Sequence, residues 1–163
     1  MFRVGIITAS DSGFAGKRED VSGAVIKEIA AANGYQVTSY AMLPDDRKIL
    51  AEEMKRLCDD DVADLVLTTG GTGFSPRDCT PEATLDIAER QAQGIAEAMR
   101  YSSMKITKRA MLSRAVAVIR GKTLIINLPG SPKAVRENLE FIITELPHGL
   151  AVLKGTVSNC AEK

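Results

Sequence analysis

Long apolar runs are missing from this 163-residue chain. None approaches the ~18 residues that a membrane span needs, and no basic segment followed by an apolar stretch opens it. The chain is therefore expected to be soluble and cytoplasmic, with no membrane partner. A surplus of charge is also absent, because Lys+Arg and Asp+Glu number 21 each. A general nucleic-acid binder would carry a basic surplus, so no nucleic-acid partner is expected. A local basic pocket for a phosphorylated small molecule stays open. Cysteine is scarce: Cys58, Cys79 and Cys160 lack any Cys-x-x-Cys or Cys/His spacing. They fit reduced thiols better than disulfides or a zinc site. The single histidine, His148, lies at an expected helix end away from every polar loop, which suits packing or surface rather than catalysis. What remains is an ordinary globular composition, 45% hydrophobic and 26% charged, in a chain long enough for one core.

The most informative stretch runs from Asp64 to Glu82. Leu65-Val66-Leu67 is short and apolar enough to be a buried strand. It breaks into Thr68-Thr69-Gly70-Gly71-Thr72-Gly73, with three glycines and three hydroxyls in six residues. Such a loop lets backbone N–H groups approach a phosphate with no Cβ in the way. Arg77 and Asp78 follow as a possible anion contact beside a metal ligand or base. Thr80-Pro81 then reads as an N-cap and first helical residue. This order suits a ligand site at the carboxyl end of a sheet strand. The loop matches neither GxxxxGK[ST] nor GxGxxG, so it is not a P-loop or a dinucleotide fingerprint.

Taken in order, residues 2–8 read as a first strand ending in the polar cluster Thr8-Ala-Ser-Asp-Ser-Gly13. That cluster is either a binding edge or a strand-to-helix turn. Val21, Val25, Ile29 and Ala32 recur at helical spacing, with Gly34 placed as a C′ glycine. Residues 35–43 form a second strand candidate. Asp45, after Pro44, either caps the next helix or is a carboxylate at the same edge as Asp11 and Asp78. The three aspartates at 59–61 read as a solvated turn. A helix is expected from Pro81 to about Gln91, and Gly94 separates it from a second ending near Met104, with Met99 and Met104 as core filler. Residues 115–119 and 123–128, joined by Arg120-Gly-Lys122, predict an antiparallel hairpin. Ser131-Pro132 opens a helix striped with Val135, Leu139, Ile142, Ile143 and Leu146, and its N-terminus could bind an anion. Pro147 and Gly149 end that helix, 150–153 form a last short one, and a frayed tail covers 156–163 after a domain spanning 1–155.

Four motifs in this order, Thr69-Gly-Gly-Thr-Gly73, Arg77-Asp78-Cys-Thr-Pro-Glu82, Met111-Leu-Ser-Arg114 and 123–131, resemble the molybdenum cofactor biosynthesis family. The likeness is to the molybdopterin adenylyltransferases, the MogA proteins and the gephyrin G domain, and covers about Arg3 to Leu153. Over Met111–Ser131 it is nearer the gephyrin type than the shorter bacterial MoaB relatives. The resemblance implies a single three-layer α/β domain, a mostly parallel but mixed sheet flanked by helices, with one hairpin. It implies transfer of AMP from ATP to molybdopterin with Mg²⁺, release of pyrophosphate, a homotrimer, and a downstream enzyme that inserts the metal. Carried over by position, Asp45 and Asp78 are the catalytic, metal-positioning carboxylates. Gly70, Gly71, Thr72, Gly73, Asn127, Pro129 and Gly130 fall on the nucleotide side. Thr8, Ser10, Asp11, Ser103, Ser113 and Ser131 fall on the molybdopterin side. Where the family often has proline before Met111, this chain has Lys108-Arg109; these cations, like Lys17 and Arg18, either serve the ligand or face solvent.

Two other readings stand beside that one. The fold could serve a non-catalytic molybdopterin-binding or assembly protein, or a nucleotide-binding module for another phosphorylated substrate. The residue types suit the first reading, since a phosphate nucleophile is already anionic and needs charge offset in an in-line geometry more than a base.

Overall fold

The computed structural model describes residues 1–157. Six strands form one sheet in the order β2-β1-β3-β6-β5-β4: β1 (Arg3–Ala9), β2 (Gln36–Leu43), β3 (Leu65–Thr69), β4 (Arg90–Gln91), β5 (Ala117–Arg120) and β6 (Thr123–Leu128). The first four in that order run parallel, and β5 and β4 are each antiparallel to the strand before them. The expected hairpin is β5–β6, and the sheet is mixed.

The central strands are buried on both faces, which is why they read as continuous apolar runs. Alternate residues serve opposite layers. Val4, Ile6, Leu65, Leu67, Leu124 and Ile126 pack under α2 (Val21–Ala32), α5 (Gln93–Met104), α6 (Pro132–Ile142) and α7 (Leu146–Leu153). Ile7, Val66 and Ile125 pack under α3 (Arg47–Asp59) and α4 (Thr80–Asp86). Three layers result. In register, Thr8 faces Thr69, and Thr69 faces Leu128. The carboxyl ends of β1, β3 and β6 therefore stop level, and the loops after them must meet.

Several expectations are corrected. In α2 the buried face is Ile26, Ile29 and Ala30, while Val21 and Ala32 are exposed; an alanine-rich helix leaves its stripe ambiguous by one position. The helix from Pro81 ends at Asp86, because 90–91 pair with β5 instead. Its N-cap is Cys79, with no side-chain cap bond, and Thr80 lies inside. Gly94 sits in the first turn of α5 rather than before it. Met99 is core, but Met104 is 40% exposed. Pro147 stands in the first turn of α7, so it starts a helix instead of ending one. Asp59 is held by Lys55 and Arg120, and Asp61 by Arg3, so these aspartates are more than a solvated turn. Thr156 hydrogen-bonds back to the Ala151 carbonyl, and 158–163, with Cys160, lie outside the described residues.

Candidate nucleotide and pterin site

Glycine brings the three strand-end loops together. Gly70 has φ +91°, and a Cβ there would collide with the Ala9 carbonyl oxygen at the end of β1. From the other side Gly130 packs against Gly70 itself. The seam is stitched by hydroxyls: Thr69 Oγ1 donates to the Pro129 carbonyl at 2.7 Å, and Ser22 Oγ to the Gly130 carbonyl at 2.7 Å.

On one side of this seam is a cavity of 390 Å³ bordered by Thr8, Ser10, Asp20, Ser22, Gly70, Gly130 and Ser131. Ser10 caps the short helix α1 (Asp11–Phe14) by accepting from Gly13 N, and Ser131 caps α6 by accepting from Ala134 N. Asp20, absent from the sequence reading, anchors the wall. It caps α2 by accepting from Gly23 N and also accepts from Thr8 Oγ1 at 2.6 Å and Tyr40 Oη at 2.5 Å. Burial pushes its carboxyl up, but these three donors outweigh that and hold it below the usual range. The Tyr40 phenol is pushed up to about 12 by burial and by the Asp20 carboxylate. Arg18 also borders this cavity.

A second cavity, 240 Å³, opens on the far side of Pro129. Ala96, Met99, Ala110 and Ala115 give it an apolar wall, and Arg100, Arg109, Ser103 and Ser113 give it polar points. Ser103 Oγ bonds to Asn138 Oδ1 at 3.2 Å. The sequence-assigned ligand sets are thus redistributed. Thr8, Ser10 and Ser131 share the first cavity with Gly70 and Gly130, while Ser103 and Ser113 share the second with Asn127 and Pro129. Asn127 borders the second cavity, yet its side chain is spent internally. Both amide hydrogens donate, to Thr68 and Thr84 hydroxyls, and Oδ1 accepts from Val116 N. No side-chain donor is left for a nucleotide.

Asp45 and Asp78 stand apart from both cavity walls, around Gly71 and Gly73. The cap of α3 is Asp46, which accepts from Ile49 N at 2.9 Å, so Asp45 is free to be the edge carboxylate. A Cβ on Gly71, whose φ is +65°, would strike Thr80 Oγ1 and approach Asp45 Oδ1 at 3.2 Å. Asp78 Oδ2 accepts from Ser75 N at 3.0 Å. Burial, together with the charges of Asp11 and Asp78, pushes the Asp45 carboxyl up. Asp11 is not with Thr8 and Ser10; its carboxylate accepts from Asp45 N and takes both Nε and Nη2 of Arg77 at 3.0 Å. The Arg77 guanidinium first, and the Asp45 amide after it, hold Asp11 below its ordinary value. Arg77 is therefore already paired. Thr72 is buried, and its carbonyl accepts from Arg114 N.

These residues suit a Mg²⁺ ion that arrives with phosphate. Asp45 sits in an excess of negative charge, and beneath the same Gly71 the Thr80 hydroxyl is buried with no hydrogen-bond partner among the described residues. Among the described residues no group of three or more His, Cys, Asp or Glu could hold a metal alone. Mg²⁺ commonly uses one or two carboxylates plus substrate phosphates, which is what Asp45 and Asp78 can offer.

Residues 5–148 match the family model described as "Probable molybdopterin binding domain". A molybdopterin adenylyltransferase of Helicobacter pylori strain J99 is 39% identical over 162 residues, covering 98% of this chain and 92% of that protein. The crystal structure of the molybdopterin biosynthesis enzyme MoaB of Thermus thermophilus is 46% identical with a TM-score of 0.90, covering 95% and 98% of the two chains. The molybdopterin biosynthesis Mog protein of Mycobacterium ulcerans is 32% identical with a TM-score of 0.87, covering 94% and 99%. The likeness therefore takes in MoaB at full length, where the segment 111–131 had pointed toward the gephyrin type. By fold, by motif order and by relatives spanning the whole domain, this chain belongs to the molybdopterin-binding domain family of molybdenum cofactor biosynthesis.

Proposed function

We infer that this chain is a molybdopterin adenylyltransferase. A terminal phosphate oxygen of molybdopterin attacks the α-phosphorus of ATP. The bond from that phosphorus to the bridging β-phosphate oxygen breaks, pyrophosphate leaves, and adenylyl-molybdopterin remains for a downstream metal-inserting enzyme. The observation that carries this reading is the convergence of three strand-end loops, at Ala9, Gly70 and Gly130, between two cavities, with Asp45 and Asp78 on the same edge. Two ligands need two pockets with a shared phosphate region, and the glycine seam is where their phosphates could be brought in line.

Asp45 and Asp78 would hold Mg²⁺, which when bound offsets phosphate charge. Backbone N–H groups of the glycine loop would take up further charge without reorganising. The reading includes a homotrimer, supported by the apolar exposure of Tyr101, Ile106, Met111 and Leu112 within one short stretch. It also includes a cytoplasmic setting, supported by the unpaired thiols of Cys58 and Cys79. No described helix is long and apolar enough to cross a membrane.

The test is pyrophosphate release from ATP, Mg²⁺ and molybdopterin, compared with the Asp78→Asn variant. Release far above the variant is expected. Release no faster than the variant would leave only a binding role for the fold.

A further inference from the structure

The segment from Gly73 to Asp78 carries one of the two acidic groups and is weakly tied to the fold. Its internal bonds are local, Asp78 N to the Ser75 carbonyl and Ser75 N to Asp78 Oδ2. Among the described residues, two arginines link it to distant parts of the chain. Arg77 reaches Asp11, but that pair is exposed on both sides, 63% and 47%, and such pairs contribute little. The other is Arg114, which comes from the connection into β5.

Arg114 makes four contacts with this region. Its backbone N donates to the Thr72 carbonyl at 2.9 Å, Nε to the Gly73 carbonyl at 2.7 Å, and Nη2 to the Asp78 carbonyl at 3.0 Å. Nη1 pairs with Glu82 Oε1 in the first turn of α4. One planar fork thus spans both ends of the segment and fixes them to the helix that follows. Glu82 is matched to that task. Burial pushes its carboxyl up, but the Arg114 bond, its own backbone amide and the charges of Arg114 and Arg47 together hold it below its ordinary value. The other oxygen is buried without a partner among the described residues. With its charge balanced and its donors aimed at carbonyls, Arg114 is committed inward rather than toward a phosphate.

We propose that Arg114, seated on Glu82, is a positioning residue that sets the place of Asp78 and the glycine loop. Its catalytic consequence rests on the adenylyl transfer inferred above; its hold on the loop does not. Three separate acceptors, each taken by a different nitrogen of Arg114, demand a guanidinium, and an ammonium could satisfy only part of the set. A phosphate ligand would instead tolerate lysine better, because charge is what it supplies.

The experiment compares full-length wild type with Arg114→Lys and Arg114→Ala. In both variants, hydrogen exchange at the Ser75 and Asp78 amides should rise by about tenfold or more, while β1 and β3 stay protected. Turnover should fall by about 100-fold, the scale of a small misplacement of a catalytic group, with KM for molybdopterin changed less than about threefold. Added guanidinium should restore part of the Arg114→Ala turnover, and methylammonium should not. Unchanged exchange at Ser75 and Asp78 would overturn the proposal, and so would an Arg114→Lys variant with wild-type turnover. Should wild type release no pyrophosphate, the adenylyl-transfer reading fails, and the exchange measurement alone decides the role of Arg114.

Discussion

Asp11 and Asp45 hold each other through reciprocal bonds, the amide of each donating to the carboxylate of the other at 3.0 Å. The loop after β1 and the loop after β2 are thereby locked into one unit. Two carboxylates are kept close although like charges repel. Arg77 pairs directly with only Asp11, its charge easing Asp45 less than burial and the neighbouring carboxylates push it up. Folding has concentrated negative charge where the proposed chemistry brings a cation.

Asp45→Asn should make that cost visible. The Asp45 carboxyl is pushed above its ordinary 3.8, so the folded chain holds the proton more tightly than the unfolded one. The ionised group costs stability above the raised value, and the cost disappears below the ordinary one. Thermal melts without metal should show a higher midpoint for Asp45→Asn at neutral pH and no gain near about pH 3. Turnover should fall on the order of 100-fold, with molybdopterin binding changed far less. A lower midpoint at neutral pH would contradict this account.

Gly71→Ala should fail for a local reason. Its φ of +65° disfavours any side chain, and the new methyl would press on Thr80 Oγ1 and Asp45. The loss should exceed about 1 kcal/mol, or roughly 2–4 °C per kcal/mol for a chain of this size. Gly94→Ala is the control, since nothing lies within 4 Å of its Cβ position in α5, and it should gain about 0.5–1 kcal/mol. Equal effects at the two sites would refute the steric argument.

Asn127→Ala separates binding from support. Val116 N, Thr68 Oγ1 and Thr84 Oγ1 would each lose a buried partner. A cost of about 2–4 kcal/mol is expected from such orphaned groups. Affinity for ATP, measured on the folded fraction, should stay within about threefold, less than a lost direct hydrogen bond would change it. A large loss of affinity with little loss of stability would return Asn127 to the nucleotide side.

How far the sequence could see depended on whether the deciding partner was local. Strands β1, β3 and β6 were legible because burial on both faces leaves continuous apolar runs, and the hairpin because Gly121 sits in a turn two residues long. Ser131 with Pro132 announced α6 through a cap that needs only neighbours. The two readings of Asp45, helix cap or edge carboxylate, stayed open after Pro44, since the choice depends on where Asp11 lies, 34 residues away. Asn127 was carried to the nucleotide side by the resemblance, but its partners at 68 and 84 are known only from the fold. Arg114 stood inside a quoted motif without a role, because its acceptors are carbonyls, which no residue type advertises.

At the opposite edge of the sheet, Asp64 offers a test of acid stability that is independent of the site. It is 3% exposed and bonded to Arg3 N, the Arg3 guanidinium and Lys154 Nζ, so it ties the starts of β1 and β3 to the end of α7. Burial pushes its carboxyl up, but the Arg3 and Lys154 bonds outweigh burial and hold it well below 3.8. A depressed folded value means the contribution is complete above 3.8 and is lost as pH falls through the lower one. Asp64→Asn should cost about 2–4 kcal/mol at neutral pH, somewhat less than a fully buried broken pair because both cations are partly exposed. Denaturant titrations from neutral pH downward should show that gap closing only below 3.8, as the wild type itself loses the charge. A gap that stays constant to the lowest pH would assign the loss to packing, and no gap at neutral pH would remove Asp64 as an anchor.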